Sequence, residues 1–198
     1  MPHTIQDFKK ALKGGGARSN LFEVSIPSLP GGVSAAAGFE IDNLKMLVKA
    51  AALPASNIAP IDVPFRGRIM KVAGDRTFDT WTVTIINDED FSIRNTMETW
   101  MQFIGQYGDG SGATNPADYM VNATVQQLKR KASTTGFGNA EGQGLIPAAQ
   151  YKFYDIFPTN ISAIDLSYDT SDTIEEFTVE FQVQYWVPEA PGSNTAQG

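Results

Sequence analysis

From Glu176 to Tyr185 the chain alternates without a break, with Phe177, Val179, Phe181, Val183 and Tyr185 set against Glu176, Thr178, Glu180, Gln182 and Gln184. Successive side chains of a strand point to opposite faces, so this run can bury one face and wet the other only as part of a sheet. A second run has the same period: Trp81, Val83 and Ile85 alternate with Thr80, Thr82 and Thr84. Its β-branched and aromatic residues suit a pleated surface with one apolar and one hydroxyl face. Any fold for this chain must therefore pack at least two half-buried strands over one core.

Shorter signals fill in the rest. Phe22, Val24 and Ile26 alternate from Asn20 to Ile26 and stop at Pro27. A second strand is expected over Leu44 to Ala51, closed by Leu53-Pro54. Ile61, Val63 and Phe65 alternate before Arg66-Gly67-Arg68, and Ile69 to Ala73 resumes extended character before Gly74-Asp75, which reads as a hairpin. Tyr119 to Lys131 is expected to be strand, as are Tyr151 to Phe157 and the segment around Ile164 and Leu166. Two helices stand out. Thr4 is positioned to cap a short one whose stripe is Ile5, Phe8 and Leu12, ended by Gly14-Gly15-Gly16. The main one carries Ile93, Met97, Trp100 and Ile104 on one face, with Asp88-Glu89-Asp90 where a helix start favours negative charge. Gly105 to Pro116 ends it. No alternating strand–helix rhythm is present, so the expected class is mainly β (α+β), an antiparallel β-barrel or sandwich with one flanking α-helix.

Composition excludes whole classes of chemistry. The 198 residues include no Cys and a single His, His3, near the start of the chain, so thiolate metal sites, Cys nucleophiles and a His-based triad are not expected. The formal net charge of −7 opposes a stationary grip on phosphates. No apolar run is long enough to span a bilayer, and Met1-Pro2-His3-Thr4 lacks the pattern of a signal peptide, so synthesis in the cytoplasm without stable membrane association is expected. With 12 Phe, 6 Tyr and 3 Trp there are ample large side chains for a core.

The remaining motifs read as structure. The glycines at Gly108-Asp109-Gly110-Ser111-Gly112 and Gly136-Phe137-Gly138 lack the Lys and Ser/Thr of a phosphate loop. Asp165, Ser167, Asp169, Ser171 and Glu176 have calcium-loop spacing, but Thr170 stands where the sharp turn needs Gly. Asn122-Ala123-Thr124 and Asn160-Ile161-Ser162 match glycosylation sequons without a secretory context. No catalytic residue, metal ligand or cofactor site is expected. Arg66, Arg68, Lys71 and Arg76 form the densest cationic stretch, which suits either a solvated hairpin or an interface with acidic groups of a neighbour.

The run Val72-Ala73-Gly74-Asp75-Arg76-Thr77-Phe78-Asp79-Thr80-Trp81, followed by Val83 and Asn87-Asp88-Glu89, resembles the tail tube proteins of T-even-type contractile phages. Arg18 through Phe22, Ala52-Leu53-Pro54, Pro158-Thr159-Asn160 and Tyr185-Trp186 extend the likeness over roughly Ala17 to Val187. The resemblance implies a tail-tube domain over residues 17–187, with insertions near 28–43 and 132–149. The short helix and its glycine run make residues 1–16 an expected N-terminal helix and hinge, and the polar residues 188–198 are expected to be a flexible tail.

The resemblance further implies a structural, non-enzymatic subunit of a virion, assembled in the host cytoplasm into hexameric rings that stack as a tube. The implied partners are other copies, a sheath protein, a baseplate tube initiator and a tail terminator, with genomic DNA passing through unbound. On this resemblance and on charge, Lys49, Pro54, Ile61, Arg66, Arg68, Lys71, Asp75 and Arg76 are expected at contacts between subunits or rings. Glu176, Glu180, Gln182 and Gln184 are expected to face the lumen. A tube of a phage-like injection machine or type VI secretion system is the neighbouring alternative. A carbohydrate-binding β-sandwich is the alternative of another class, and an acid-base glycosidase a more distant one.

Overall fold

The two alternating runs become strands and lie side by side. In the computed structural model, which describes residues 4–12, 16–35, 39–129, 146–169 and 172–189, β5 (Trp81–Ile86) pairs antiparallel with β8 (Glu176–Gln182). Trp81 stands opposite Phe181, Val83 opposite Val179 and Ile85 opposite Phe177. All six of these side chains are buried, so the register brings two apolar faces together as one.

The other strands are β1 (Phe22–Ser25), β2 (Val48–Ala51), β3 (Ser56–Phe65), β4 (Arg68–Phe78), β6 (Val121–Lys129), β7 (Ile146–Ile161) and β9 (Tyr185–Glu189). The main sheet runs β1-β6-β7-β8-β5-β2, with β9 also on β7. Its end strands do not meet, so the barrel is not closed; of the two architectures anticipated, the sandwich describes it better. The strand β7 makes this possible by serving both layers. Its first part pairs with β6 and β9, and its last part, from Phe157, pairs with β8. Between them lies an irregularity at Asp155, whose φ is +54° and whose amide donates to Asn122 Oδ1. An extra residue bends a strand, and an aspartate tolerates the left-handed conformation better than most side chains.

The core fills the space between the layers. Trp81 stacks on Phe153 of β7 with ring centroids 4.8 Å apart and leans on Phe181 at 5.3 Å. Val24, Ala123, Val125 and Ile156 close it from the β1–β6–β7 side. The helix α3 (Ser92–Ile104) buries Ile93, Met97 and Trp100 against it, while Ile104 of the expected stripe is only partly buried. The N-cap is Phe91, with no side-chain cap bond, so the acidic cluster does not cap the helix as expected; Asp88 instead accepts from Ser92 Oγ at 2.6 Å. Trp100 Nε1 donates to the carbonyl of Tyr119 at 2.9 Å, tying α3 to the short helix α4 (Pro116–Tyr119).

Five further expectations change. Leu44 to Leu47 belong to a helix, α2 (Ile41–Leu47), so only Val48 to Ala51 of that expected strand is strand. The long final run breaks at Val183-Gln184: β8 stays on β5, and β9 crosses to pair with β7, as Gln184 N donates to Tyr154 O. Ile164 and Leu166 lie in a loop. Residues Ile146 to Ala149, assigned to an insertion, extend β7 and pair with β6. Pro188 and Glu189, assigned to a flexible tail, complete β9. His3, Gly136-Phe137-Gly138, Thr170 and Ser171 lie outside the described residues.

Candidate assembly surface

The ribbon of β3 and β4 stands apart from the sandwich as its own two-stranded sheet. Its ten- and eleven-residue strands are joined by a two-residue turn, Arg66-Gly67, in which both residues have positive φ, +45° and +79°. That is the turn whose twist matches a hairpin. No residue of either strand is buried. The base is held by Phe78, whose ring meets Trp186 edge-on at 6.0 Å, and by Asn57 Nδ2 donating to Asp79 Oδ1. A register shift between Ile58 and Pro60 interrupts the ladder opposite Gly74. A β-carbon at Gly74 would lie 2.6 Å from the carbonyl oxygen of Ala59, so the backbones approach there as only glycine permits.

Cross-strand partners share a face, so the register separates two surfaces. On one, Ile61, Val63 and Phe65 face Val72, Met70 and Arg68. Its apolar members are open to solvent: Phe65 is 66% exposed, Met70 58% and Ile61 54%. On the other face, Pro60, Asp62 and Pro64 oppose Ala73, Lys71 and Ile69. Lys71 Nζ bonds Asp62 Oδ1 at 3.0 Å there. Scattered exposed apolar residues are ordinary, but a contiguous exposed apolar face marks an interaction surface.

The ribbon collects most of the expected contact residues. Ile61 lies on the apolar face, and Arg66 stacks over the Phe65 ring at 5.4 Å. Arg66, Arg68 and Arg76 form no salt bridge among the described residues, whereas Lys71 is paired within the ribbon. Asp75 is exposed beside the Gly74 irregularity. Two residues lie elsewhere. Pro54 is buried within the subunit. Lys49 sits on β2 and bonds Glu176, so a residue expected at an interface and one expected in a lumen neutralise each other within one subunit. Glu176, Glu180 and Gln182 do share the outer face of β8, where Glu180 lies opposite Thr82. Gln184 lies past the end of β8, at the crossing to β9.

Val63, Phe65, Met70 and Val72 were not among the contact residues expected from the sequence. The signal was present in Pro60 and Pro64, because two prolines in a single run argue against a central strand and for one with an open edge.

The profile of the phage tail tube protein family matches residues 17–189. This chain belongs to the phage tail tube protein family. It is 32% identical over 183 residues to the tail tube protein gp19 of Enterobacteria phage T4, covering 92% of this chain and 98% of that protein. The tail tube protein of Serratia phage KSP90 is 24% identical over 181 residues, 90% of this chain and 93% of that one. Among solved structures, a chain of the sheath–tube complex of an extracellular contractile injection system in its extended state superposes with a TM-score of 0.58. It does so at 13% identity, covering 96% of this chain and 99% of its own. A chain of the anti-feeding prophage baseplate gives 0.58 at 11% identity, covering 88% of this chain and 95% of its own. These two likenesses concern the fold. The ribbon and the outer face of β8 both fall within the matched residues.

Proposed function

We propose that this chain is a structural, non-catalytic subunit of a phage inner tail tube. Copies form hexameric rings, the rings stack inside a contractile sheath, and genomic DNA passes through without specific binding. The subunit becomes part of the virion after assembly in the host cytoplasm, with a baseplate initiator at one end of the tube and a terminator at the other. Residues 17–189 supply the tube body, and residues 1–16 are an appendage to it.

The ribbon carries this reading. An apolar face that finds no partner among the described residues is stabilised when a neighbour covers it, and charge favours a second copy as that neighbour. Ser56–Phe78 holds four cationic and two acidic residues, a net of +2, in a chain of net −7; the remainder therefore carries −9. A cationic arm on an acidic body is drawn to the body of another copy. Head-to-tail contacts of this kind close into rings when the rotation permits. The outer face of β8, with Glu180 and Gln182 beside threonines, supplies acidic, amide and hydroxyl groups. Such a lining would not hold phosphates, each of which would resist sliding if gripped.

Negative-stain electron microscopy of concentrated protein tests the proposal, with the baseplate initiator added in a second sample. Six-membered rings and hollow tubes are expected from the wild type. A variant lacking Ala55 to Pro60 should remain a folded monomer and form neither. Tubes of normal length from that variant would rule out the ribbon as the assembly surface, and tight binding of duplex DNA inside tubes at physiological salt would contradict the unbound passage of DNA.

A further inference from the structure

A single cation lies on the acidic, amide and hydroxyl face of β8 and its neighbours, and an irregularity in β2 puts it there. Val48 pairs with Ile85 and Ala50 with Thr84, so Lys49 is the extra residue of a bulge. Ala51 pairs with the buried Val83. Strict alternation back from Ala51 would turn Ala50 outward, Lys49 into the core and Val48 outward. The bulge resets that order. Val48 packs against the core opposite Ile85, and Lys49 is released to the outer face. There its ammonium donates to the Glu176 carboxylate, reaching across β5, which lies between β2 and β8.

Little else nearby is charged. Among the strands of this layer, β2, β5, β8 and the end of β7 from Phe157, Lys49 is the one cation, and Glu176 and Glu180 are the two anions. The polar remainder of the face is Thr82, Thr84, Thr178, Gln182 and Asn160. Both members of the pair are open to solvent, with 53% of the Lys49 side chain and 36% of that of Glu176 exposed. An unpaired ammonium this accessible would hold the phosphates of a nucleic acid brushing the face. Paired with Glu176 it adds no net charge, and the face presents the single charge of Glu180.

We infer that Glu176 is a positioning residue that neutralises and holds Lys49, so that the one cation on the channel wall does not retain duplex DNA. This deepens the tube reading and rests on it, because it takes the outer face of β8 as that wall. An exposed ion pair contributes little to folding. Its consequence lies in what the face is kept from binding.

Assembled tubes titrated with a short fluorescein-labelled DNA duplex test the inference. Wild-type and Lys49→Gln tubes should bind it weakly. Glu176→Gln, which frees the ammonium, should bind roughly tenfold more tightly at low salt, with the gain vanishing as salt is raised. Combining Lys49→Gln with Glu176→Gln should restore the wild-type level, a rescue that a merely structural role for Glu176 would not give. Glu176→Gln tubes that bind no more tightly than wild type, or doubly substituted tubes that bind as tightly as Glu176→Gln, would overturn the inference. Glu176→Thr, another strand former, takes the place of Glu176→Gln if the latter does not assemble. Gln182→Lys reports on the wall itself, since it adds a lysine to the same face opposite Phe157 and not opposite a carboxylate. If Gln182→Lys gains affinity and Glu176→Gln does not, the wall stands and the role of Glu176 falls. If neither gains, or if the wild type forms no tubes even with the baseplate initiator, both fall.

Discussion

The β5–β8 pair and the β3–β4 ribbon are both antiparallel, both alternate apolar with other residues, and differ in what covers the apolar side. In the first, Trp81, Val83, Ile85, Phe177, Val179 and Phe181 are sealed by β7, β6 and α3. In the second, Ile61, Val63, Phe65, Met70 and Val72 face solvent. The period of a sequence thus specifies that a face will be apolar and leaves open which molecule covers it. Proline tells the two apart: neither β5 nor β8 contains one, and β3 contains two.

Removing a large side chain from each region should break that symmetry most strongly. Trp81→Ala empties the stack on Phe153 and should cost about 3–5 kcal/mol of monomer stability, read as a lower denaturation midpoint at unchanged slope. A loss below ~1 kcal/mol would mean that the sandwich core is not organised around this ring. Phe65→Ser is the counterpart in the ribbon. It should leave monomer stability within about 0.5 kcal/mol while suppressing sedimentation of assembled species. A destabilised monomer would show that the ribbon face is already covered within the chain, and the comparison would fail.

The smallest expected effect lies in the helix α1 (Ile5–Ala11), which, like the ribbon, exposes its apolar stripe of Ile5, Phe8 and Leu12. Thr4 and Asp7 cap each other there, and the backbone amide and hydroxyl of Thr4, donating to the Asp7 carboxylate, hold its pKa below the ordinary aspartate value. A lowered folded pKa means that the contribution is fully present above the unfolded value and is lost as pH falls through the folded one. Amide shifts of Phe8 and Lys9 should therefore move toward random-coil values only below the usual aspartate range, with no change in the core. Fraying that begins near neutral pH would exclude this cap as the cause.

Much of the fold was legible. The two longest alternating runs became β5 and β8, the stripe of Ile93, Met97 and Trp100 became the buried face of α3, and Arg66-Gly67 became the hairpin turn, because period and turn chemistry act over a few residues. The candidate site was legible in part. Arg66, Arg68 and Arg76 could be placed on one ribbon from proximity in the chain, but the burial of Pro54 and the pairing of Lys49 with Glu176, 127 positions apart, could not, since both depend on which strands meet.

By itself, then, the amino-acid order determined the class of the fold, the ends of the main helix and the presence of a hairpin with a positive-φ tip. It also determined, through Pro60 and Pro64, that β3 would carry two positions without an N–H. The break of the last run into β8 and β9, the bend of β7 at Asp155 and the exposure of the ribbon were decided only by the tertiary structure. Alternation specifies two faces on a strand, whereas the choice of neighbour for each face is made by long-range packing, and a strand whose neighbour belongs to another subunit looks the same in sequence as one buried at home.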